Sequence, residues 1–292
     1  MRFKRLLKFL LLILFALASL AGIFLYLISG RPVPVPVKEK ITNGVTYKRM
    51  VRYFPRQMVA HVMIIDKKAK KLYFFVTPPD DVEGGVVKAR TTSQFLREFD
   101  LTLAINGDGF FPWWSRSPAD YYPHAGDPVT PNGYAASRGK IYARGLQDPT
   151  SEPTLYISRR NDLTFNHPPN KVFHAISGDR MLIQGGNIIA GLDDIKADPR
   201  TAIGTNKNGR WVYLVVVDGR QPFYSEGATF LELAELLTSL GAFYAMSLDG
   251  GGSSTMVIAG EDGEPVILNS PIDNYIPLRE RPVVNHFGVF IK

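Results

Sequence analysis

The sequence contains no cysteine, which excludes disulfide bonds, cysteine-ligated metal sites and cysteine nucleophiles. The chain beyond residue 40 also has almost no excess of charge of either sign, because the first 40 residues carry +6 of the formal net charge of +7. A near-neutral domain lacks the clustered positive field that nucleic-acid surfaces use. We therefore expect no nucleic acid among its partners.

One long apolar run is present near the N-terminus. Residues 9–30 carry no charged side chain, and four basic residues precede them within the first eight positions. About 20 apolar residues span a bilayer as a helix, and the positive-inside rule then places the N-terminus in the cytoplasm and the rest outside. A cleaved signal peptide is the alternative, but the apolar run continues too long for a typical signal sequence. Both interpretations export the remainder of the chain.

The alternating Pro and Val of residues 31–37 favour an extended, polyproline-like stalk. The sequence thus predicts three parts: a signal-anchor or transmembrane helix over 1–30, a Pro-rich stalk over 31–40, and one folded domain over 41–292. No internal repeat and no second linker divides that domain.

Short apolar runs in the domain predict β-strands separated by few helices. The expected strands are Val59–Ile65, Lys71–Thr77, Leu101–Asn106, Trp211–Val217, Phe243–Leu248 and His286–Ile291. Residues 92–99 predict a short helix, and the stretch 112–144, rich in Pro, Gly, Tyr and Ser, predicts a long functional loop. The fold class is therefore α+β, or mixed α/β, with mixed β-sheets and a few flanking helices.

Residues 211–249 predict a strand–helix–strand unit. The strand 211–217 is β-branched and apolar, Thr229 and Glu232 fit a capping box, and Gly241 is a natural helix stop. Such a βαβ unit places its two strands parallel in one sheet. The loops that follow both strands should then emerge at the same sheet edge, where ligands bind in open α/β sheets.

Those two loops supply the strongest candidates for a functional site. The first begins with Asp218, Gly219 and Arg220, and the second runs from Asp249 to Thr255 through three glycines and three hydroxyl residues. Glycine lets the backbone approach a ligand and turn its N–H groups towards a phosphate or a sugar, although an ordinary tight turn is the simpler alternative. Arg220 either grips a phosphate or pairs with one of the aspartates.

Two other segments add candidate ligand-binding residues. Asn106 and Gly107 follow another expected strand, and Arg200 opens the strand that precedes Trp211. The candidate catalytic residues are Asp249 and Asp218. The candidate substrate-binding residues are Arg200, Arg220, Asn106, Gly107, Gly250, Gly251, Gly252, Ser253, Ser254 and Thr255.

Histidine offers no second site by its spacing. The five histidines are scattered without a metal-ligand pattern, so each is expected to be structural, with His124 in the long loop as the best exception. A divalent cation beside Asp218 and Asp249 is compatible with phosphodiester chemistry. The sequence shows no recognisable set of metal ligands, so it leaves the presence of a metal undecided.

Residues near 90–111 and 199–289 resemble the phosphodiester glycosidase domain family. The resemblance lies in Asn106-Gly107 with Phe110-Phe111, Ile176–Gly178, Pro199–Gly204, Val217–Arg220, Ser225–Thr229, Leu231–Ala234, Leu248–Thr255 and Glu280–Asn285. The first segment departs from the family pattern, since Asp108-Gly109 makes it one residue longer.

The resemblance implies an enzyme that cleaves a sugar-1-phosphate diester at its glycosidic bond and releases a free sugar and a phosphomonoester. Its partners would then be a phosphate-linked glycan substrate and, through the N-terminal helix, a membrane. In that chemistry Asp249 or Asp218 would be base or nucleophile, arginines and glycine amides would hold the phosphate, and Asn106 and the hydroxyls would position the sugar.

Two other functions are compatible with the same residues. A non-catalytic protein could use the cleft to bind an exopolysaccharide or wall polymer and help assemble or retain it. A serine hydrolase could use Ser253 or Ser254, although no histidine lies at an obvious partner position.

Overall fold

The structure is a computed structural model that describes residues 2–29, 34–145 and 152–291. Within these described residues the three helices are α1 (Arg2–Ser29), α2 (Thr92–Glu98) and α3 (Phe230–Ser239), and a short 3₁₀ turn covers Gly251–Ser253. The first strands are β1 (Val37–Thr42), β2 (Val45–Arg52), β3 (Met58–Asp66), β4 (Leu72–Val76), β5 (Val87–Lys88), β6 (Leu103–Asn106), β7 (Phe110–Phe111), β8 (Trp114–Ser117), β9 (Asp120–Tyr122), β10 (Pro128–Pro131), β11 (Tyr134–Ser137) and β12 (Lys140–Arg144). The remaining strands are β13 (Thr154–Ile157), β14 (Leu163–Phe165), β15 (His174–Ser177), β16 (Arg180–Gln184), β17 (Asn187–Ile188), β18 (Arg200–Thr205), β19 (Trp211–Val217), β20 (Tyr244–Ser247), β21 (Met256–Ala259), β22 (Pro265–Ile267), β23 (Ile272–Asp273), β24 (Ile276–Pro277) and β25 (His286–Ile291).

The strands form several sheets in two main layers. An eight-stranded sheet has the order β1-β2-β3-β19-β18-β20-β16-β17, and two five-stranded sheets have the orders β22-β21-β6-β25-β4 and β12-β11-β15-β13-β14. The chief apolar core lies between the eight-stranded sheet and the two five-stranded sheets. Alternate residues of each strand point to one face of its sheet, so the apolar faces of the sheets can pack together. A second core packs α3 on the outer face of the eight-stranded sheet, and a third packs α2 on the sheet that contains β6.

The expected α+β architecture is present, with β structure predominating and helices few. All six strands expected from apolar runs are found within a few residues of the predicted ends, and α2 covers the predicted short helix. The capping box also forms, because Thr229 Oγ1 accepts from the Glu232 amide while the Glu232 carboxylate accepts from the Thr229 amide. Gly241 follows α3 with a φ of +93°, a backbone conformation that glycine adopts without strain.

The strand–helix–strand segment has a topology that the sequence did not anticipate. Strands β19 and β20 both pair antiparallel with β18, which lies between them. They therefore run in the same direction in one sheet without pairing with each other. Their following loops still emerge at one edge, which is the feature that positions the site.

Two expected boundaries differ from the structure. Strand β1 begins at Val37 and pairs with β2, so part of the predicted stalk belongs to the sheet, while residues 30–33 lie outside the described residues. The expected long loop at 112–144 instead contains β8 to β12, since its Pro and Gly residues punctuate short strands. Helix α1 contains Lys4–Phe24, 21 residues of mean hydropathy 2.5 with no residue buried, which is long and apolar enough to cross a membrane.

Candidate functional site

A cleft of about 550 Å³ opens where the loops after β6, β19 and β20 meet. The residues that line it are Asp108, Gly109, Trp113, Asn132, Glu152, Gly178, Asp179, Asp198, Arg200, Arg220, Phe230, Leu248, Asp249, Gly250, Gly251, Gly252 and Arg281. Carboxylates and guanidinium groups dominate this lining. Such a mixture suits a ligand that carries both hydroxyl groups and a phosphate.

Asp249 lies in the cleft at the end of the β20 segment. Its Oδ2 accepts a hydrogen bond of 2.5 Å from Ser253 Oγ, and its Oδ1 accepts one of 2.9 Å from the Gly250 amide. Burial raises the pKa of Asp249, while the Ser253 hydrogen bond and the charge of Arg281 oppose that rise. The carboxyl group is thus held rigidly and faces the cleft.

Asp108 is a second cleft carboxyl group, and the sequence reasoning did not select it. Its side chain is almost fully buried and accepts a 2.8 Å hydrogen bond from the Gly133 amide. Burial raises the pKa of Asp108 to about 7; the Gly133 hydrogen bond opposes this rise, and the charge of Asp249 adds to it. A carboxyl group that titrates near neutral pH can serve as a general acid or base. The signal that could have found it is the one used for Asp249, a carboxylate directly after a strand.

The three glycines after Asp249 shape the cleft wall. A methyl group at Gly252 would lie 2.5 Å from Arg281 Nη2, and one at Gly251 would lie 3.0 Å from Arg220 Nη2. Any larger residue would therefore displace one of these guanidinium groups. The Gly250 and Gly251 amides already donate, to the Asp249 carboxylate and to the Pro199 carbonyl oxygen. The glycines thus allow close approach of arginines rather than offering three unused amides.

Arg220 and Arg281 are anchored on carboxylates at the edge of the cleft. Arg220 Nε donates to Asp198 at 2.9 Å, and Arg281 Nε donates to Asp273 at 2.7 Å. Burial alone would raise the pKa of Asp198, but hydrogen bonds from Arg220 and Lys196 outweigh it and lower that pKa. Arg281 occurs in one of the family-like segments, but nothing in its spacing marked it as a site residue.

Arg200 lines the cleft in a different way. Its Nε and one Nη donate to the carbonyl oxygens of Ala228 and Lys196, at 3.1 and 3.0 Å. Its guanidinium carbon lies 3.8 Å from the centroid of the Phe230 ring. These contacts make it part of the cleft wall.

Asn106 and Gly107 lie beneath the cleft and do not line it. Asn106 Nδ2 donates to the Asp249 carbonyl oxygen, and its Oδ1 accepts from Thr201 Oγ1 and from the Thr255 amide. A methyl group at Gly107 would lie 2.2 Å from Asn285 Oδ1, so no side chain fits there. Both residues position the Asp249 loop.

Asp218 is also placed outside the cleft lining. Its buried carboxylate is contacted by His61, Tyr224, Asn269 and the Ser270 amide, at 2.9, 3.0, 3.1 and 2.7 Å. The structure therefore does not bring the two aspartates predicted as catalytic into one cleft. It surrounds Asp218 with the groups that fix the neighbouring loops.

The hydroxyl residues after the glycines are buried. Ser253 donates to Asp249, and Ser254 Oγ and Thr255 Oγ1 have no hydrogen-bond partner within the described residues. No histidine is among the cleft-lining residues of the described chain, and His124 lies instead against Tyr121 and Asp127. Within ranges 2–29, 34–145 and 152–291, no three His, Asp or Glu side chains are grouped as they would be around a metal ion.

Several solved structures share this fold. The catalytic domain of zebrafish N-acetylglucosamine-1-phosphodiester alpha-N-acetylglucosaminidase, auto-inhibited by its pro-peptide, matches with a TM-score of 0.62 and 19% identity over 89% of this chain and 84% of that one. A hypothetical protein from Synechocystis matches with a TM-score of 0.59 and 14% identity over 89% of this chain, which spans 64% of the Synechocystis protein. A Burkholderia pseudomallei protein classed as exported matches with a TM-score of 0.57 and 15% identity, covering 80% of this chain and 74% of that one.

These identities are low enough that the matches establish the fold alone. None of the curated proteins matches the sequence significantly. The family model for phosphodiester glycosidases does match, over residues 82–290, which include the cleft aspartates, the glycine loop and all three arginines. The match confirms the resemblance expected from the motifs, and the chain belongs to the phosphodiester glycosidase family.

Proposed function

We propose that this protein hydrolyses the glycosidic bond of a sugar-1-phosphate diester in an envelope or extracellular glycan. The observation that carries the proposal is one cleft in which Asp108 and Asp249 share the lining with Arg220 and Arg281. Glycosidic cleavage passes through an oxocarbenium-like transition state that needs carboxyl groups beside the anomeric carbon. A phosphate leaving group needs cationic hydrogen-bond donors.

The two carboxyl groups divide the proton chemistry between them. Asp249, held by Ser253 and Gly250, acts as the carboxylate that stabilises or attacks the anomeric carbon or activates water. Asp108, whose pKa is about 7, holds a proton near neutral pH and delivers it to the departing oxygen. The negative charge of Asp249 also favours this protonated form.

The two arginines bind the phosphate. Each guanidinium group is fixed through Nε to a carboxylate, Asp198 or Asp273, so it is oriented before substrate arrives. Planar guanidinium groups match phosphate oxygens, and they also stabilise the charge that develops on the leaving group. Asp218 supports this end of the cleft by fixing the loop that carries Arg220.

We infer that the domain works outside the cytoplasmic membrane. Helix α1 carries basic residues before its apolar part, the arrangement that retains an N-terminus in the cytoplasm. A structural relative is classed as exported. An anchored domain would meet polymeric envelope substrates near the membrane surface.

The experiment that tests the proposed function measures release of free sugar. The full-length chain in detergent is incubated with UDP-N-acetylglucosamine and with simpler N-acetylglucosamine-1-phosphate diesters, beside an Asp249→Asn control. From the wild type we expect free sugar together with UDP from UDP-N-acetylglucosamine and with a phosphomonoester from the simpler diesters, and we expect a kcat lower by about a thousandfold in the control.

Two results would reject the proposal as stated. Sugar release that persists in Asp249→Asn would place the chemistry elsewhere. No release from any diester, with saturable binding of phosphate-linked glycan, would favour the non-catalytic binding function instead.

A further inference from the structure

Two hairpins lie at the edge of the cleft near Arg220 and Arg281, and of their residues the proposed chemistry uses only Asp273, which anchors Arg281. The hairpin β8–β9 and the hairpin β23–β24 are linked through Arg279, whose Nη1 donates to the Pro118 carbonyl oxygen at 2.8 Å. The guanidinium group of Arg279 also lies 4.7 Å from the Tyr121 ring centroid and 2.9 Å from Asp273. Because Asp273 also binds Arg281, both hairpins are connected to a phosphate-binding arginine.

Trp113 precedes the first hairpin and lines the cleft. The guanidinium carbon of Arg281 lies 5.0 Å from the centroid of its ring, and 48% of the residue remains exposed. An aromatic residue of this size is normally buried in a domain of this kind. Here one part of its ring contacts the arginine and the rest faces the cleft.

Tyr275 lies at the tip of the second hairpin. Its φ is +61° and that of Asn274 is +48°, a left-handed conformation that is unfavourable for a tyrosine. The residue is 73% exposed, and its ring centroid lies 5.6 Å from the guanidinium carbon of Arg220. Tyr275 does not line the cleft, so it can contact only ligand groups that extend beyond it.

We propose that Trp113 and Tyr275 form an aromatic rim that binds successive sugar rings on the phosphate side of the scissile bond. Sugar rings have flat apolar faces that pack on aromatic rings, and each rim residue lies beside an arginine that would bind the phosphate. The ring nearest the phosphate would pack on Trp113, and the next ring would pack on Tyr275. This inference rests on the proposed function and makes the substrate a phosphate-linked glycan chain.

Three substrates of increasing length test the rim. They are N-acetylglucosamine-1-phosphate esterified to methanol, to C6 of a methyl hexoside, and to C6 of the terminal ring of a disaccharide. In the full-length chain we expect Trp113→Ala to lower kcat/KM about tenfold for the two longer diesters, leaving the methyl diester within about twofold of wild type. We expect Tyr275→Ala to lower kcat/KM about fivefold for the longest diester alone.

Matched variants separate ring packing from general damage. Trp114→Ala removes the neighbouring tryptophan, which stacks on Tyr122 and does not line the cleft, and Tyr53→Ala removes an exposed tyrosine elsewhere. Both should retain the length preference of the wild type, and Trp113→Tyr should recover most of it. Equal losses on all three substrates in Trp113→Ala would overturn the inference and leave Trp113 as a support for Arg281. An unchanged length preference in both rim variants would also overturn it.

A binding measurement keeps the rim testable if no diester is hydrolysed. Isothermal titration with methyl phosphate, hexose 6-phosphate and a disaccharide 6-phosphate reports the leaving-group side without catalysis. Tighter binding of the longer monoesters, lost in Trp113→Ala, would support the rim even if the proposed reaction failed. Equal affinity for all three in the wild type would reject the rim, whatever the fate of the reaction.

Discussion

The loops that begin at Asp218 and Asp249 follow parallel strands of one sheet, yet they place their carboxylates in opposite environments. Asp249 faces the cleft and is contacted by one hydroxyl and one amide of its own loop. Asp218 is buried and contacted by four polar groups, among them His61 and the Ser270 amide. A carboxylate that has all its hydrogen bonds within the protein supports structure, whereas one that faces a cleft can act on a ligand.

The largest expected effects come from replacing each of these two aspartates with asparagine, which should affect catalysis in one loop and stability in the other. We expect Asp249→Asn to lose about a thousandfold in kcat with little change in the free energy of unfolding. We expect Asp218→Asn to keep kcat within about tenfold but to lower that free energy by about 3 kcal/mol, because an amide cannot accept from all four buried neighbours. Enzyme assays and urea unfolding, run on both variants, measure the two effects. Matching losses of kcat in both would show that the comparison is wrong.

The pH dependence of the rate extends this comparison of carboxyl groups to Asp108. Its pKa of about 7 predicts that kcat/KM falls as the pH rises above 7, because the acid loses its proton. Asp108→Asn should lower kcat about a hundredfold and abolish this alkaline decline. A pH–rate profile of both proteins is the measurement, and an unaltered alkaline limb in the variant would remove Asp108 from the mechanism.

The raised pKa of Asp108 also predicts how stability depends on pH. The folded state holds this proton more tightly than the unfolded chain does, so the stabilisation is complete below about pH 4 and is lost as the pH rises through about 7. The contribution is at most about 4 kcal/mol. Unfolding of the wild type at pH 4 and 8, compared with Asp108→Asn, checks this, and equal pH dependence in the two would contradict it.

The smallest expected effects distinguish the arginines. Arg220→Lys should raise KM about tenfold, because lysine cannot hold both Asp198 and a phosphate in the same planar geometry. Arg200→Lys should mainly lower stability, by about 1 kcal/mol, because Arg200 donates to two carbonyl oxygens and stacks on Phe230. Steady-state kinetics and thermal unfolding of both variants test this ranking. A larger KM change in Arg200→Lys than in Arg220→Lys would indicate that the phosphate binds beside Arg200 instead.

Much of the local structure was predictable from the sequence. The short, apolar runs at β3, β19 and β25 predicted strands, and the Thr229–Glu232 pair predicted the start of α3. The Asp249 loop was recognised because glycines directly after a strand permit close backbone approach. Arg281 and Trp113 were not recognised, since each reaches the cleft through packing against a segment distant in sequence: Arg281 lies beside Gly252, and Trp113 lies beside Arg281.

The sequence by itself determined the apolar N-terminal helix, most strands, the capped helix and the family motifs, because these depend on periodicity and on hydrogen bonds between near neighbours. Only the tertiary structure decided that β18 lies between β19 and β20, that Asp218 is buried and that Asp108 joins Asp249 in the cleft. Burial and the field of distant charges decide which carboxylate titrates near neutral pH, and both depend on how separate parts of the chain pack together.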